Sequence, residues 1–276
     1  IYVEYNDKFN RVSHYEKDTK NIIYFRSLLD NRYNVQNKKS ITYLGENGPE
    51  RIDRKTFTQD KHTPIDKAID FIKNSDYRIF IFEDYMTCEL SEQLSVLPNI
   101  HFWCDIRTNS GFSSGVTDVD LLWNLAQQYN WIKRLKPITF MLKFRCPFYD
   151  VSIDTLKQEF ADTNKIYYDD IQLASDLNLI ENYENRKLLY FNGIIELQQY
   201  PGKSSTETRL KGAPKYDKNE IINDLIYYDP REFENKFAYY NKTERWIVHR
   251  YNEYVNDKTI KIGYCHCNDC AGQSYI

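Results

Sequence analysis

Apolar residues follow two spacings along the chain, and the two spacings predict different elements. Short apolar runs between polar turns are typical of buried strands, whereas apolar residues repeated every three or four positions indicate helices. Helical spacing predicts helices over residues 18–29, 64–74, 89–97, 119–135 and 232–254. Apolar runs predict strands over residues 40–45, 78–84, 99–107, 138–144 and 188–197, and again after Glu207.

Alternation of these strands and helices predicts the fold class. A strand–helix repeat favours an α/β fold, here a Rossmann-like, doubly wound and mostly parallel central sheet with helices on both faces. Such sheets bind ligands outside the carboxyl ends of their strands. Gly45, Asp84, Asp105 and Lys143 each fall at a predicted strand end. The alternation therefore predicts both a fold and one edge of it as the site.

Composition limits the class of protein further. Hydrophobic residues make up 41% of the 276 residues and aromatic residues 16%, which indicates a packed core. The net charge of −3 excludes a global basic field, so any RNA contact requires a local basic patch. No apolar run reaches the roughly 18 residues of a membrane span, and no signal peptide is visible, so no membrane partner is expected. The first residue is not Met and the last residues look cut, which is typical of an excised or processed chain.

We expect one domain over residues 1–276. It comprises an N-terminal arm and helix (1–39), an insertion of mixed structure (151–188) and a cysteine-containing tail (255–276). The tail carries the sequence CHCNDC, whose four soft ligands lie too close together for a structural zinc site without outside ligands. A reduced tail is favoured, and no metal is predicted. Cys88, Cys104 and Cys146 are isolated in apolar settings, which suits a reducing compartment.

The segment MLKFRCPFYD, residues 141–150, combines two kinds of candidate chemistry. Lys143 lies at a predicted strand end, where a desolvated lysine can serve as a base. A turn through Pro147 then presents Phe148 and Asp150, an aromatic ring and a carboxylate that together can hold a flat cationic ring. The plainer interpretation is an edge strand with a lysine stem on its surface and a proline turn.

Two further strand ends carry candidate residues. In YLGENGPE, Gly45 and Gly48 would let the backbone pass close to a ligand, although a plain turn is the simpler interpretation of GxxG. In HFWCDIRTNSG, Asp105 is either a structural cap or a site residue. Placed beside Lys143, it favours a site.

These segments together resemble the poxvirus cap-specific mRNA 2′-O-methyltransferase family, whose members also serve as the small, stimulatory subunit of poly(A) polymerase. The resemblance rests on DTKNIIYFRSLL, ITYLGENG, FED, CDIRTNSG, MLKFRCPFYD, SSTETRL and FENKFAYYN, in that order, over roughly 80% of the chain. It implies transfer of a methyl group from S-adenosylmethionine to the 2′-hydroxyl of the first transcribed nucleotide of capped RNA.

The resemblance also implies residue roles. Lys143 would be the general base, flanked by the other members of a catalytic set: Lys20, Asp105 and Glu207. The cofactor would be bound by Tyr43, Gly45, Gly48, Asp60, Asp84 and Asp105. The 7-methylguanine cap would be bound by Phe148, Asp150 and Glu234, with Tyr2 or Tyr5 as the opposing aromatic. Apart from the resemblance, basic residues cluster near these motifs, and we expect RNA contacts from Arg107, Arg145 and Arg209 among them.

Partners and location follow from the same resemblance. Capped mRNA is the expected substrate, a poly(A) polymerase catalytic subunit the expected protein partner, and the cytoplasm of a virus-infected host cell, or the virion, the expected place. The chain departs from the family at the glycine turn, where Gly48 precedes Pro49, and at residues 151–188, which have no counterpart. Two other classes stay open: a non-catalytic cap- or RNA-binding subunit, and a small-molecule methyltransferase.

Overall fold

The computed structural model describes residues 2–3, 22–27, 40–53, 56–57, 63–83, 86–107, 117–147, 154, 158, 187–197, 208–217, 220–221 and 225–240. The chain divides into two compact units, Ile1–Pro98 and Asn99–Ile276. Each unit has its own sheet, and each is described separately below. Whether the chain forms the single domain expected from the sequence stays a prediction.

The first unit is built on a five-stranded mixed sheet. Its strands are β1 (Tyr2–Val3), β2 (Ile22–Ser27), β3 (Ser40–Gly45), β4 (Gly48–Asp53) and β5 (Ile79–Glu83), in the spatial order β1-β5-β2-β3-β4. The first four strands in this order run parallel, whereas β4 returns antiparallel to β3. Helices α1 (Ile65–Asn74) and α2 (Cys88–Leu94) complete the unit.

Strand β2 corrects the helix predicted over residues 18–29. Ile22, Ile23, Tyr24 and Phe25 are all buried, so both faces of the strand are covered. A strand covered on both faces is a continuous apolar run without alternation, and such a run can be mistaken for a helix. Phe25 packs against Phe82 with ring centroids 4.9 Å apart, which fixes β2 beside β5 in the core.

The second unit contains a four-stranded mixed sheet. Strands β6 (His101–Cys104) and β7 (Thr139–Phe144) are parallel and joined by helix α3 (Asp118–Leu135). The remaining strands are β8 (Leu188–Phe191), β9 (Ile194–Leu197), β10 (Thr208–Gly212), β11 (Tyr216–Asp217), β12 (Glu220–Ile221) and β13 (Leu225–Tyr228). The sheet order is β6-β7-β10-β9, and β10 is antiparallel to both of its neighbours. Two antiparallel pairs, β11–β12 and β8–β13, stand apart from it.

Helix α3 supplies much of the core of the second unit. Its first turn is closed by a reciprocal cap, in which Thr117 and Asp120 each bond the backbone N–H of the other. Its aliphatic residues at helical spacing are all buried: Leu121, Leu122, Leu125, Ile132 and Leu135. The helix ends at Lys136, which adopts the left-handed conformation with φ of 53°.

A fourth helix, α4 (Pro230–Tyr239), follows β13. Asp229 caps it by accepting hydrogen bonds from the backbone N–H groups of Arg231 and Glu232, and Pro230 occupies the first helical position. The helix predicted over residues 232–254 therefore begins two residues earlier than expected. Its predicted continuation beyond residue 240 lies outside the described residues.

The α/β class is confirmed. Over the described residues, the strands form several small sheets of mixed direction, so the single, mostly parallel sheet stays a prediction. In the first unit, the mixed direction arises where the chain reverses through a tight turn from β3 into β4. The remaining strand predictions are confirmed within a few residues, except that residues 188–197 form two strands, β8 and β9.

Candidate active site

Three charged side chains meet at one end of the four-stranded sheet. Asp105 directly follows β6, Lys143 lies near the end of β7, and Arg209 lies near the start of β10. Arg209 is the register partner of Lys143, and Cys104, which precedes Asp105, is the partner of Leu142. The backbone ladder therefore puts the three residues level on adjacent strands. We refer to Asp105, Lys143 and Arg209 as the lysine cluster.

Asp105 bridges the two cations of the lysine cluster. Its Oδ1 atom lies 3.2 Å from Nζ of Lys143 and 3.0 Å from Nη2 of Arg209. The two cationic side chains are only 14% and 15% exposed, whereas Asp105 is 40% exposed. A carboxylate shared by two shielded cations offsets part of their mutual repulsion, and its exposed part stays accessible to a ligand.

Buried polar groups hold β7 in place beneath the cluster. Gln128 of α3 donates a hydrogen bond from Nε2 to the carbonyl oxygen of Lys143 at 3.3 Å. The hydroxyl of Tyr190 donates to the carbonyl oxygen of Leu125 at 2.9 Å and lies 3.3 Å from Oε1 of the same glutamine. Thr208 donates to the carbonyl oxygen of Phe144 on the next strand. These contacts tie the Lys143 backbone to α3, so the lysine cannot shift along the sheet without breaking them.

Cys104 and Cys146 flank these residues and are buried. Burial raises the pKa of the Cys104 thiol to about 12, partly offset by hydrogen bonds from the Ile106 backbone and the Gln128 side chain. Burial also raises the pKa of the Cys146 thiol, and the nearby Glu234 carboxylate adds to the effect. Both thiols stay protonated at neutral pH, which argues against either as a nucleophile.

A second ion pair lies near the start of the segment that leads to Phe148 and Asp150. Nη2 of Arg145 lies 3.7 Å from Oε1 of Glu234 on α4. The sequence assigned Arg145 to RNA and Glu234 to the cap, and the structure puts the two in contact. This contact brings α4 to the end of β7.

The glycine turn of the first unit is a two-residue hairpin. Glu46 and Asn47 connect β3 to β4, and Gly45 pairs with Gly48, whose φ of 115° favours glycine. The turn was expected to resemble a nucleotide-binding turn, but it leads directly into an antiparallel strand. A side chain from that strand, Glu50, covers Gly45: a Cβ added to Gly45 would lie 2.0 Å from Oε1 of Glu50.

Glu50 is held in this position by a hydrogen bond. The hydroxyl of Tyr43 donates to Oε2 of Glu50 at 2.9 Å. On the other side of the turn, Nζ of Lys67 donates to the carbonyl oxygens of Gly45 and Glu46 at 3.0 and 2.8 Å. A carboxylate beside an exposed turn is a suitable acceptor for the ammonium and ribose hydroxyls of S-adenosylmethionine. The Glu50 carboxylate is therefore chemically compatible with that cofactor. The sequence did not single out Glu50 as an acceptor.

Several predicted site residues lie outside the described residues: Lys20, Tyr5, Asp60, Asp84, Phe148, Asp150 and Glu207. The backbone of Tyr2 lies in β1, and Arg107 is half-buried just after β6. The roles assigned to these residues stay predictions. The predicted insertion, apart from isolated positions, and the CHCNDC tail are likewise not described. Within the described ranges, no group of three or more histidine, cysteine or acidic residues is arranged to hold a metal ion.

Some residues around the site could not be identified from the sequence, because each acts through a hydrogen bond to another residue. Gln128 and Tyr190 had no signal beyond belonging to predicted elements, because their hydrogen bonds join distant parts of the chain. Glu50 follows a glycine–proline pair, which could have indicated a hairpin with a returning strand.

Comparison with known proteins adds no family assignment. No protein-family model matches the chain, and no curated protein matches it. None of the helices in the described part of the chain has the length and apolar character required to cross a membrane. The function must therefore be argued from the residues and their geometry.

Proposed function

We propose that the chain is an S-adenosylmethionine-dependent RNA 2′-O-methyltransferase of Rossmann-like type that acts on capped mRNA. The observation that carries the proposal is the 3.2 Å contact between Lys143 and Asp105 at the ends of two parallel strands. These are two members of the catalytic set implied by the sequence resemblance. The two residues are 38 positions apart in the chain, and strand register brings them together.

The lysine cluster suits proton removal from a ribose hydroxyl. Lys143, after losing a proton to solvent, would accept the 2′-hydroxyl proton on its neutral Nζ, while Asp105 orients the amine through their short contact. Arg209, on the other side of the same carboxylate, would keep Asp105 fixed as the charge on Lys143 changes. The protein would contribute mainly position and charge, because methyl transfer requires no covalent enzyme intermediate.

The glycine hairpin is the proposed cofactor-binding segment. Tyr43, Gly45 and Glu50 would hold S-adenosylmethionine, with Glu50 accepting from its donor groups. When bound, this cofactor supplies an electrophilic methyl group on a sulfonium. Binding of S-adenosylhomocysteine by calorimetry tests the assignment without any activity: Glu50→Gln should weaken it, whereas Glu196→Gln, at an exposed position elsewhere, should leave it unchanged.

The function itself is tested by incubating the protein with capped RNA and labelled S-adenosylmethionine and mapping the methyl group. Lys143→Ala should lower transfer by about 10²- to 10⁴-fold, the usual contribution of a general base. Lys73→Ala is the control, since Lys73 is an exposed lysine in the last turn of α1 and has no part in the proposed catalytic, cofactor or RNA contacts. Unchanged transfer by Lys143→Ala would contradict the proposal.

The contact between Arg145 and Glu234 favours a second candidate, a cap-binding subunit without catalysis. Glu234 would accept the N–H groups of 7-methylguanine, and Phe148 would stack on its cationic ring. Binding of capped but not uncapped RNA, with no methyl transfer by the wild-type protein, would favour this candidate. Phe148→Ala should weaken binding of capped RNA by about 1–3 kcal/mol. Equal affinity for capped and uncapped RNA would exclude a cap pocket.

A further inference from the structure

The four-stranded sheet of the second unit has one buried face and one open face. Along β7, Phe140, Leu142 and Phe144 are buried, whereas the alternate residues are exposed or half-buried. The neighbouring strands continue this alternation. We define the open face by its residues: His101, Trp103, Thr139, Met141, Lys143, Ile194, Glu196, Arg209 and Lys211.

The open face is organised in rows across the strands. In one row, Trp103 pairs with Met141, Met141 with Lys211, and Lys211 with Ile194. The adjacent row contains the lysine cluster and ends in Glu196, the partner of Arg209. Two residues along a strand cover about 6.6 Å, so a row that is apolar except for Lys211 runs close beside a charged row.

Trp103 is the most informative residue of the open face. It is 71% exposed, whereas Trp123 and Trp131 in α3 are buried. Exposing a large aromatic ring to water is unfavourable, and such rings at the surface mark binding sites when polar groups surround them. Here Met141 lies on one side of the ring and the cations of the lysine cluster lie in the next row.

We propose that the open face binds single-stranded RNA, with a base stacked on Trp103 beside Met141 and the phosphates near Lys211 and Arg209. In some RNA-binding domains, a four-stranded sheet binds single-stranded RNA by stacking bases on its exposed aromatic residues. The face carries three cations, Lys143, Arg209 and Lys211, which pair with only two carboxylates, Asp105 at its edge and Glu196, so one positive charge remains to attract a polyanion. Lys211 and Glu196 are 39% and 48% exposed, and so exposed an ion pair is weak enough for a phosphate to replace the carboxylate.

This inference shares with the proposed function the premise that the ligand is RNA, but it requires neither a cap nor a cofactor. The experiment therefore uses a short, labelled, uncapped RNA without S-adenosylmethionine. Loss of methyl transfer would not affect the result. Conversely, a protein that transfers methyl groups but binds RNA independently of Trp103 would retain the proposed function and overturn this inference.

Binding is measured by fluorescence anisotropy over a series of salt concentrations. Trp103→Ala should weaken binding about tenfold or more, and Trp103→Phe should restore most of the affinity because a smaller ring still stacks. Tyr227→Ala is the matched control, since Tyr227 is also an exposed aromatic residue on a strand, β13, away from the open face. Lys211→Gln should reduce the slope of log affinity against log salt by about 0.7, the effect of one lost phosphate contact.

Equal RNA affinity of Trp103→Ala and Tyr227→Ala would overturn the proposal. Sedimentation of the same variants tests the competing use of the face. If Trp103→Ala dissociates an oligomer and leaves RNA affinity unchanged, the open face binds protein and not RNA. Thermal melting of each variant shows whether it is folded. Because the Trp103 side chain is mostly exposed, we expect its replacement to leave the melting temperature nearly unchanged.

Discussion

The lysine cluster and the glycine hairpin were both predicted as strand-end sites, yet they are held in different ways. In the lysine cluster, backbone pairing on both sides of β7 fixes the positions of Lys143 and Arg209. In the hairpin, side chains fix the geometry, because Glu50 covers Gly45 and Lys67 bonds the carbonyl groups of the turn. The geometry of the lysine cluster therefore depends on strand register, whereas that of the hairpin depends on the side chains around the turn.

The largest expected difference between the two units is in the rate at which their cysteine thiols are alkylated. Cys104, beneath the lysine cluster, is buried, and its pKa is raised to about 12, so at pH 8 only about one molecule in 10⁴ carries the thiolate. Cys88 in the first unit is half-buried. We expect iodoacetamide to modify Cys104 more than about a thousandfold more slowly than an unfolded cysteine, and Cys88 well before it.

Mass mapping of the labelled peptides over time measures both rates. Raising the pH should accelerate labelling of Cys104, because the thiolate fraction rises tenfold for each unit below its pKa. Labelling in denaturant provides the unfolded reference. Equal rates for Cys104 in native and denatured protein would show that the core beneath the cluster is open.

Alanine substitution at two glycines compares crowding against a backbone atom with crowding against a flexible side chain. A Cβ at Gly193 would lie 2.4 Å from the carbonyl oxygen of Lys211, which is fixed by strand pairing. Gly193→Ala should therefore lower the free energy of unfolding by about 2–3 kcal/mol. Gly45→Ala should cost about 1 kcal/mol, because only the flexible end of Glu50 must move. Urea unfolding measures both, and equal costs would remove the distinction between the two regions.

The shared carboxylate of the lysine cluster predicts a smaller effect. Asp105→Asn leaves two shielded cations, Lys143 and Arg209, without the anion between them. We expect a loss of about 1–2 kcal/mol in the free energy of unfolding, less than for a fully buried pair because Asp105 is partly exposed. Adding Lys143→Met should recover part of the loss. A double variant less stable than the single one would contradict this electrostatic explanation.

The smallest effect is expected at the hairpin. Tyr43→Phe removes the hydrogen bond to Glu50 and should cost about 0.5–1 kcal/mol. The more informative measurement is S-adenosylhomocysteine affinity, which should fall if the phenol positions Glu50 for the cofactor. Affinity equal to that of the wild-type protein would show that Glu50 needs no support from Tyr43.

Much of this architecture could be predicted because it depends on local pattern. Helix α3 and strand β7 follow from their apolar spacing, and so does the placement of Lys143 at a strand end. Strand β2 could not be separated from a helix, because four consecutive buried residues carry no alternation. Arg209 was assigned to RNA because its sequence position does not show that β10 pairs with β7 in a register that brings it to Asp105. Trp103 was missed because exposure of a strand residue depends on which face the rest of the chain covers.

The order in which the lysine cluster is assembled follows from the sequence separation of its strands. The side chains of His101 and Thr139, which join β6 and β7, are 38 residues apart, and helix α3 fills about half of that span. The bond from Thr208 to Phe144, which joins β10 to β7, spans 64 residues. During synthesis from the N-terminus, β6, α3 and β7 are complete well before β10 is made. Asp105 and Lys143 can therefore meet while the chain is still being translated, and Arg209 joins them last.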